Sequence, residues 1–313
     1  MMARSKRTTH AMSAPANSLK SIFFALGANF AIAVAKTAGA IFTGSSSMLA
    51  EAIHSYADCA NQGLLIWGLK EGRQAPTADH PLGYGKAVYF WSFIVAVMLF
   101  SMGGLFSIYE GVHKLGSAEP MQYAFVAMGI LTFGIAAESV SLWGCLREVN
   151  KERRGDSLWH WFRTSRQSEL IVVLGEDLAA LGGLALALAF IALAVVTGDP
   201  RWDAMGSIAI GVLLVVVAVL VGTEVKALLV GQSAEPRLLE AMRAHLRAQP
   251  EVVELYNLLT QQLGPEIMVA VKARMAPQSS DRALIEAVNK VERGLRSAFP
   301  SVRWVFFEPD VAD

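Results

Sequence analysis

A chain of 313 residues with 54% hydrophobic and only 17% charged residues departs from soluble domains, in which about a quarter of the residues are charged. Its 27 basic and 27 acidic residues balance, which removes any global electrostatic argument for binding nucleic acid. Two cysteines, Cys59 and Cys145, both in apolar runs, exclude a disulfide framework and a CxxC centre and read as small buried hydrophobes.

Residues 1–19 are polar and basic, with Arg4, Lys6 and Arg7. They show no signal-peptide pattern, so they read as a flexible cytoplasmic tail, and this favours a bacterial inner membrane. Six apolar segments follow, at about Ile22–Phe42, Ser47–Leu69, Val88–Tyr109, Tyr123–Leu146, Leu170–Val196 and Met205–Leu229, each near the roughly 20 residues that span a bilayer. Several carry polar groups: Asn29 and Lys36 in the first, Glu110 at the end of the third, Glu138 in the fourth. These read as packing or interhelical partners. Gly182, Gly183, Gly206 and Gly211 read as sites of close helix approach. Positive charge gathers in the tail, in the second loop (Lys70, Arg73, Lys86) and in the fourth (Arg147, Lys151, Arg153, Arg154, Arg163, Arg166). The positive-inside rule makes these cytoplasmic, and an even number of spans puts both termini there.

From about residue 231 the pattern becomes that of a small soluble domain running to residue 313. Pro236 suits a first helical position, and Leu238, Leu239, Met242 and Leu246 form an apolar stripe that ends before Pro250. Val252–Leu259 reads as a strand and Gly264-Pro265 as a turn. Ile267, Val269, Val271, Ala273 and Met275 alternate with more polar neighbours, which predicts a strand with one buried face. Ser279, Ser280 and Asp281 offer N-caps to a second helix with Leu284, Val288, Val291 and Leu295 on one face, and Ser301–Phe307 reads as a last strand. The order α-β-β-α-β predicts a small α+β unit, marginal alone at this size and helped by pairing with a second copy.

The chemistry concentrates in the second segment. His54 and Asp58 are four residues apart, a spacing that stacks them on one helix face. An imidazole and a carboxylate so placed can supply two ligands to a transition-metal ion. Ionisable groups inside a membrane mark ion pathways more often than packing. A buried His–Asp hydrogen bond would look the same on this helix alone, but a second acidic pair, Glu176 and Asp177, opens the fifth segment. Neighbours on a helix point about 100° apart, so one of the two faces the site. Asp177 is the first choice and Glu176 the alternate. Such N/O ligands suit Zn²⁺, with Co²⁺, Mn²⁺ and Fe²⁺ also accommodated. Because only neutral imidazole binds metal, binding displaces protons, which gives metal–proton exchange a physical basis. In the loop before the third segment, Asp79-His80-Pro81-Leu82-Gly83-Tyr84-Gly85-Lys86 offers two readings. His80 with Asp79 binds metal at the entry, or Pro81, Gly83 and Gly85 shape a structured loop in which Lys86 makes an ion pair.

The chain resembles the cation diffusion facilitator family of metal transporters from about residue 20 onward. The resemblance rests on Gly44-Ser45-Ser46-Ser47-Met48-Leu49-Ala50-Glu51-Ala52-Ile53-His54-Ser55-Tyr56-Ala57-Asp58, on His80-Pro81-Leu82-Gly83-Tyr84-Gly85-Lys86 and on Trp202-Asp203-Ala204-Met205-Gly206-Ser207. Cys59-Ala60-Asn61-Gln62 and the stretch around Gly175-Glu176-Asp177-Leu178 look more like the zinc transporter 9 subgroup. The resemblance implies a mainly α membrane protein with six transmembrane helices over residues 20–230 and a ferredoxin-like cytoplasmic dimerisation domain over residues 231–313. It further implies a homodimer that exports divalent metal in exchange for protons, with no prosthetic group and no enzymatic activity. Family members usually place a His or Asp four residues before the fifth-span Asp. Val173 stands there, so the site has three ligands or recruits Glu176 or water. Thr77 and Tyr84 replace an acid and a second His of the loop site, and Lys272 and Phe306 replace histidines of regulatory zinc sites. The resulting expectation is a transporter with His54, Asp58, Asp177, Glu176 and His80 as candidate metal ligands. The alternative is a non-transporting membrane scaffold whose metal site has decayed. A metalloprotease would want HExxH or a comparable motif, which does not occur.

Overall fold

The computed structural model describes residues 16–116, 123–153 and 155–312, with side chains from Asn29 onward. Most of the stretch read as an N-terminal tail lies outside these residues, but helix α1 (Ala16–Thr43) already runs through its last four. Four further long helical stretches follow α2 (Ser46–Gly72). The third segment is one continuous helix, α3 (Ala87–Met98), a π-helical stretch (Leu99–Leu105) and α4 (Phe106–Leu115). Then come α5 (Ala124–Glu152), the short α6 (Leu158–Thr164), α7 (Ser168–Thr197) and α8 (Arg201–Val230).

Among the described residues, four helices are long and apolar enough to cross a bilayer: Ala87–Leu115, Ala124–Glu152, Ser168–Thr197 and Arg201–Val230. α2 has the length, at 27 residues, but the polar groups between Ser45 and Asp58 lower its apolarity. It is tolerated because it is central, packed against α1, α3, α7 and α8, so its polar face meets protein rather than lipid. Small residues permit the closest contacts, as their pattern predicts. At Gly211 of α8 an added Cβ would lie 2.6 Å from the Gly104 carbonyl oxygen of the π-helical stretch, so these two helices meet backbone to backbone.

The N-terminus of α2 is held from afar. Ser45 is its N-cap, accepting from the Met48 amide at 3.1 Å. The buried carboxylate of Asp203, at the start of α8, accepts from the Ser45 and Ser46 hydroxyls at 2.7 and 3.0 Å and from the Ser46 and Ser47 amides at 2.7 and 3.3 Å. A carboxylate at a helix N-terminus satisfies otherwise orphaned amides and complements the helix dipole.

Beyond α8 the predicted order is realised as α9 (Pro236–Arg247), β1 (Val252–Leu263), β2 (Glu266–Met275), α10 (Asp281–Ala298) and β3 (Val302–Pro309). Pro236 opens α9, and Ser280 caps α10 by accepting from the Ala283 amide. β2 is central, antiparallel to β1 and parallel to β3. Ile267, Val269, Val271 and Ala273 are buried against a core that includes Met242, Leu246, Val291 and Leu295. His245 packs edge-on to Phe299.

This α+β unit caps one end of the bundle. Tyr89 at the start of α3 donates through its hydroxyl to the Gly264 carbonyl at 3.3 Å and accepts from the Gly264 amide at 3.0 Å. A Cβ at Gly85 would strike the Leu263 carbonyl oxygen at 2.1 Å, so only glycine fits where the α2–α3 loop meets the β1–β2 turn. Arg166 donates to the Ser233 carbonyl and Arg237 pairs with Asp156. Lys86, expected to form an ion pair, lies 3.5 Å from the Leu229 carbonyl at the end of α8; a helix C-terminus serves as its anionic partner. The opposite, distal end of the bundle carries the α1–α2 turn.

Because the Asp203 carboxylate accepts from four groups, Asp203→Ala should destabilise the folded protein by about 3 kcal/mol, and Asp203→Asn by less. Thermal unfolding in detergent followed by circular dichroism measures both; equal stability of Asp203→Ala and wild type would remove Asp203 as the anchor.

Candidate metal site

The face of α2 that turns inward carries Glu51, His54, Asp58 and Asn61, successive turns of one helix spread over about 15 Å. Both ends of this series touch α7. A Cβ at Gly183 would lie 2.4 Å from Glu51 Oε1, and Asn61 Nδ2 donates to Glu176 Oε1 at 2.5 Å. His54 and Asp58 therefore sit on the stretch of α2 that faces α7 between these two contacts. Gly103 of the π-helical stretch approaches from a third side, where a Cβ would be 3.9 Å from His54 Nδ1. Such widened turns occur often at functional sites.

His54 is fully buried, and Asp58 retains 16% of its side-chain exposure. His54 Nδ1 and Asp58 Oδ1 are 3.5 Å apart, too long for a good hydrogen bond. Among the described residues, neither ring nitrogen of His54 has a hydrogen-bond partner, nor do Asp58 Oδ1, Asn61 Oδ1 and Asp177 Oδ2. Buried polar atoms are nearly always satisfied, so each exception asks for an explanation. A cation between them would satisfy imidazole nitrogen and carboxylate oxygen together.

The two α7 acids point apart, as adjacency requires. Glu176 reaches α2 through Asn61, whereas Asp177 turns to α5, accepting from the Ser141 hydroxyl at 3.1 Å. Of the two, Glu176 is thus the one tied to the helix that carries His54 and Asp58. Among the described residues, no three His, Cys, Asp or Glu side chains gather into one metal-binding group. The α2 pair and the α7 acids line one region without converging on a point, because hydrogen bonds to Asn61 and Ser141 hold both acids. In the sequence Asn61 stands only within the Cys59–Gln62 resemblance, with no role at the site; its i+3 spacing from Asp58 was the available signal. Val173 is half-buried in apolar packing with Trp161, Phe162 and their neighbours, as befits a position without a ligand.

His80 is exposed in the α2–α3 loop. Its ring stacks on Tyr84 at 4.4 Å, its amide donates to Thr77 Oγ1, and its carbonyl accepts from the Thr77 and Gly83 amides. The loop is a folded turn that holds His80, and the structure does not bring His80 into a ligand group with His54 and Asp58.

Long apolar helices packed around a helix that buries ionisable groups define a multi-pass membrane protein. The family model for the cation efflux transmembrane domain matches residues 22–230, and the chain belongs to this cation efflux family. It is 35% identical over 227 residues to a mouse (Mus musculus) protein named proton-coupled zinc antiporter SLC30A9, mitochondrial, covering 72% of this chain and 40% of the relative. It is 32% identical over 252 residues to metal tolerance protein C4 of Arabidopsis thaliana, covering 80% of this chain and 55% of that one. Zinc transporter ZitB of Escherichia coli (strain K12) is 22% identical over 273 residues, 87% of this chain and 82% of the relative. The chain thus spans about half or less of the length of the first two relatives. All three bear names of transporters or metal-tolerance proteins, not of enzymes.

Glu176→Gln should weaken Zn²⁺ binding more than Asp177→Asn, and Asn61→Ala should weaken it about 10- to 100-fold, as loss of an orienting neighbour does. Calorimetric Zn²⁺ titration of the purified variants tests this ranking; the reverse order for the two acids would make Asp177 the α7 ligand.

Proposed function

We propose that the chain moves a divalent transition-metal ion, Zn²⁺ in the first place, out of the cytoplasm in exchange for protons. The ion is the cargo, held between α2 and α7 by His54, Asp58 and Glu176, with Asp177 as an alternate carboxylate. The observation that carries this reading is the set of buried, unpartnered N and O atoms of His54 and Asp58 on the α7-facing side of α2. The names of the zinc-transporting relatives support the choice of metal.

Exchange with protons follows from the donor set. Metal binding needs neutral imidazole and ionised carboxylate, so protons and metal compete for the same atoms. Acidification on one side therefore favours metal release there, and lower acidity on the other favours capture. For net transport the groups must face the two sides alternately, and the glycine-mediated packing of the helices is compatible with such sliding. Loop charges support an orientation with both termini in the cytoplasm, and the membrane proposed is a bacterial inner membrane. The readings of His80 as an entry ligand and of the α+β unit, residues 231–313, as a cytoplasmic dimerisation domain belong to the same proposal. The second is supported by the open face of the sheet, where Leu259, Ala270 and Phe306 are aligned across the three strands and Leu259 and Phe306 are 61% and 56% exposed. An exposed apolar strip of this kind marks an interaction surface, and a second copy of the same strip would cover it.

Purified protein in proteoliposomes should take up Zn²⁺ when a pH gradient is imposed. Asp58→Ala should reduce uptake to the level of empty vesicles, and uptake should rise as the acid side is made more acid. No flux of Zn²⁺, Co²⁺, Mn²⁺ or Fe²⁺ in well-folded protein would sink the transporter reading. The dimer is tested separately: light scattering should give a dimer for the wild type and a monomer for Leu259→Asp/Phe306→Asp, whereas an unchanged mass would place the interface elsewhere.

A further inference from the structure

One turn beyond His54, toward the distal end, lies a second buried constellation that metal ligation does not use. Lys36 of α1 is fully buried, its Nζ 3.1 Å from Glu51 Oε2 and 2.7 Å from Ser55 Oγ. Glu51 is equally buried, and its other oxygen has no partner among the described residues. The pair is seated between two glycines. A Cβ on Gly134 of α5 would lie 3.6 Å from Lys36 Cε, and one on Gly183 of α7 would lie 2.4 Å from Glu51 Oε1. An ammonium and a carboxylate thus join α1 to α2 while lying against α5 and α7.

A buried ion pair is weak evidence of stability, since apolar residues of similar size hold helices as well or better. In some proteins such a pair instead fixes one arrangement among several. The position suggests which arrangement. From the metal-ligating level of α2, the way to the distal end passes Glu51 and then the Ser45–Ser47 turn sealed by Asp203. A divalent cation leaving that way meets the Lys36 ammonium first, and like charge in a low-dielectric interior repels it strongly. The half-satisfied Glu51 carboxylate also leaves the pair only partly compensated, as suits a contact that has to open.

We propose that the Lys36–Glu51 pair, with Ser55, is the distal gate of the metal site: closed as an ion pair between α1 and α2, and parted when the site turns to the distal side. This rests on the transport reading above and adds residues outside the ligand set.

The chain's two cysteines supply the test. Cys59 follows Asp58 on α2 and is partly exposed, whereas Cys145 is buried on α5 one turn beyond Ser141, farther from the distal end. The protein is placed in sealed vesicles of one orientation, and a membrane-impermeant maleimide is applied from the distal side. Labelling of each cysteine is followed by peptide mass spectrometry. The double variant Lys36→Met/Glu51→Gln avoids stranding a lone buried charge. It should label at Cys59 about tenfold faster than wild type, because losing the pair shifts the population toward the open state, while Cys145 stays as slow as before. The reversed pair, Lys36→Glu/Glu51→Lys, should return Cys59 toward the wild-type rate. Faster labelling at both cysteines would mean general loosening and would overturn the gate. So would a Cys59 rate equal to wild type in the double variant when the wild type transports Zn²⁺. If the double variant does not fold, Ser55→Ala removes one partner of Lys36 with both charges kept; the gate predicts faster Cys59 labelling there too, and an unchanged rate overturns it. Wild-type protein without Asp58-dependent Zn²⁺ flux would overturn the transport reading itself, and the gate with it.

Discussion

Hydrocarbon does not solvate charge, and a single ionised side chain at mid-membrane costs at least about 2.5–3.5 kcal/mol. α2 carries Glu51, His54 and Asp58 within eight residues. The arrangement of the other helices follows from hiding that face. α2 sits in the centre of the bundle, and Lys36 comes from α1 to neutralise Glu51. Asp203 comes from α8 to hold the N-terminus, and Asn61 takes up Glu176 from α7. The apolar faces of α5 and α8 are left for lipid; Phe133, Val140, Val212 and Val216 are all exposed there.

The polar contacts along α2 change in kind from end to end. At the distal end they are numerous and satisfied, with four acceptances by one carboxylate. Among the described residues, both ring nitrogens of His54 and Oδ1 of Asp58 have no hydrogen-bond partner. Saturated hydrogen bonding fixes one geometry, whereas unsatisfied buried atoms leave a place for something to bind. The Asn61–Glu176 and Ser141–Asp177 bonds are intermediate. Each holds a carboxylate that a cation could recruit by exchanging one hydrogen bond for a metal–oxygen contact.

The α+β unit is linked to the same helix by a short route. α2 ends at Gly72, its following loop presses Gly85 onto Leu263 and Gly264, and Tyr89 grips Gly264 from α3. A cavity of about 500 Å³ lies beside this contact, lined by Arg73, Arg166, Glu169 and Glu235 among others. The junction is therefore tight at the β1–β2 turn and open beside it.

Much of this was legible in one dimension. Alternation of Ile267, Val269, Val271 and Ala273 gave β2 its buried face because a strand repeats every two residues. Pro236 and Ser280 marked helix starts through fixed φ and a free hydroxyl. The four-residue spacing of His54 and Asp58 placed them on one face without reference to any other helix. What stayed hidden was every relation between residues far apart in sequence. Adjacency shows that Glu176 and Asp177 diverge, but only the placement of α5 and α7 around α2 decides that Glu176 meets Asn61 and Asp177 meets Ser141. Lys36 and Glu51 are separated by 15 residues, and Ser46 and Asp203 by 157. Short-range patterns record the period of a helix or strand, whereas the choice of partner for a buried charge depends on which helices pack side by side. The sequence by itself determined which groups need shelter from lipid, and only the tertiary structure decided which group shelters which.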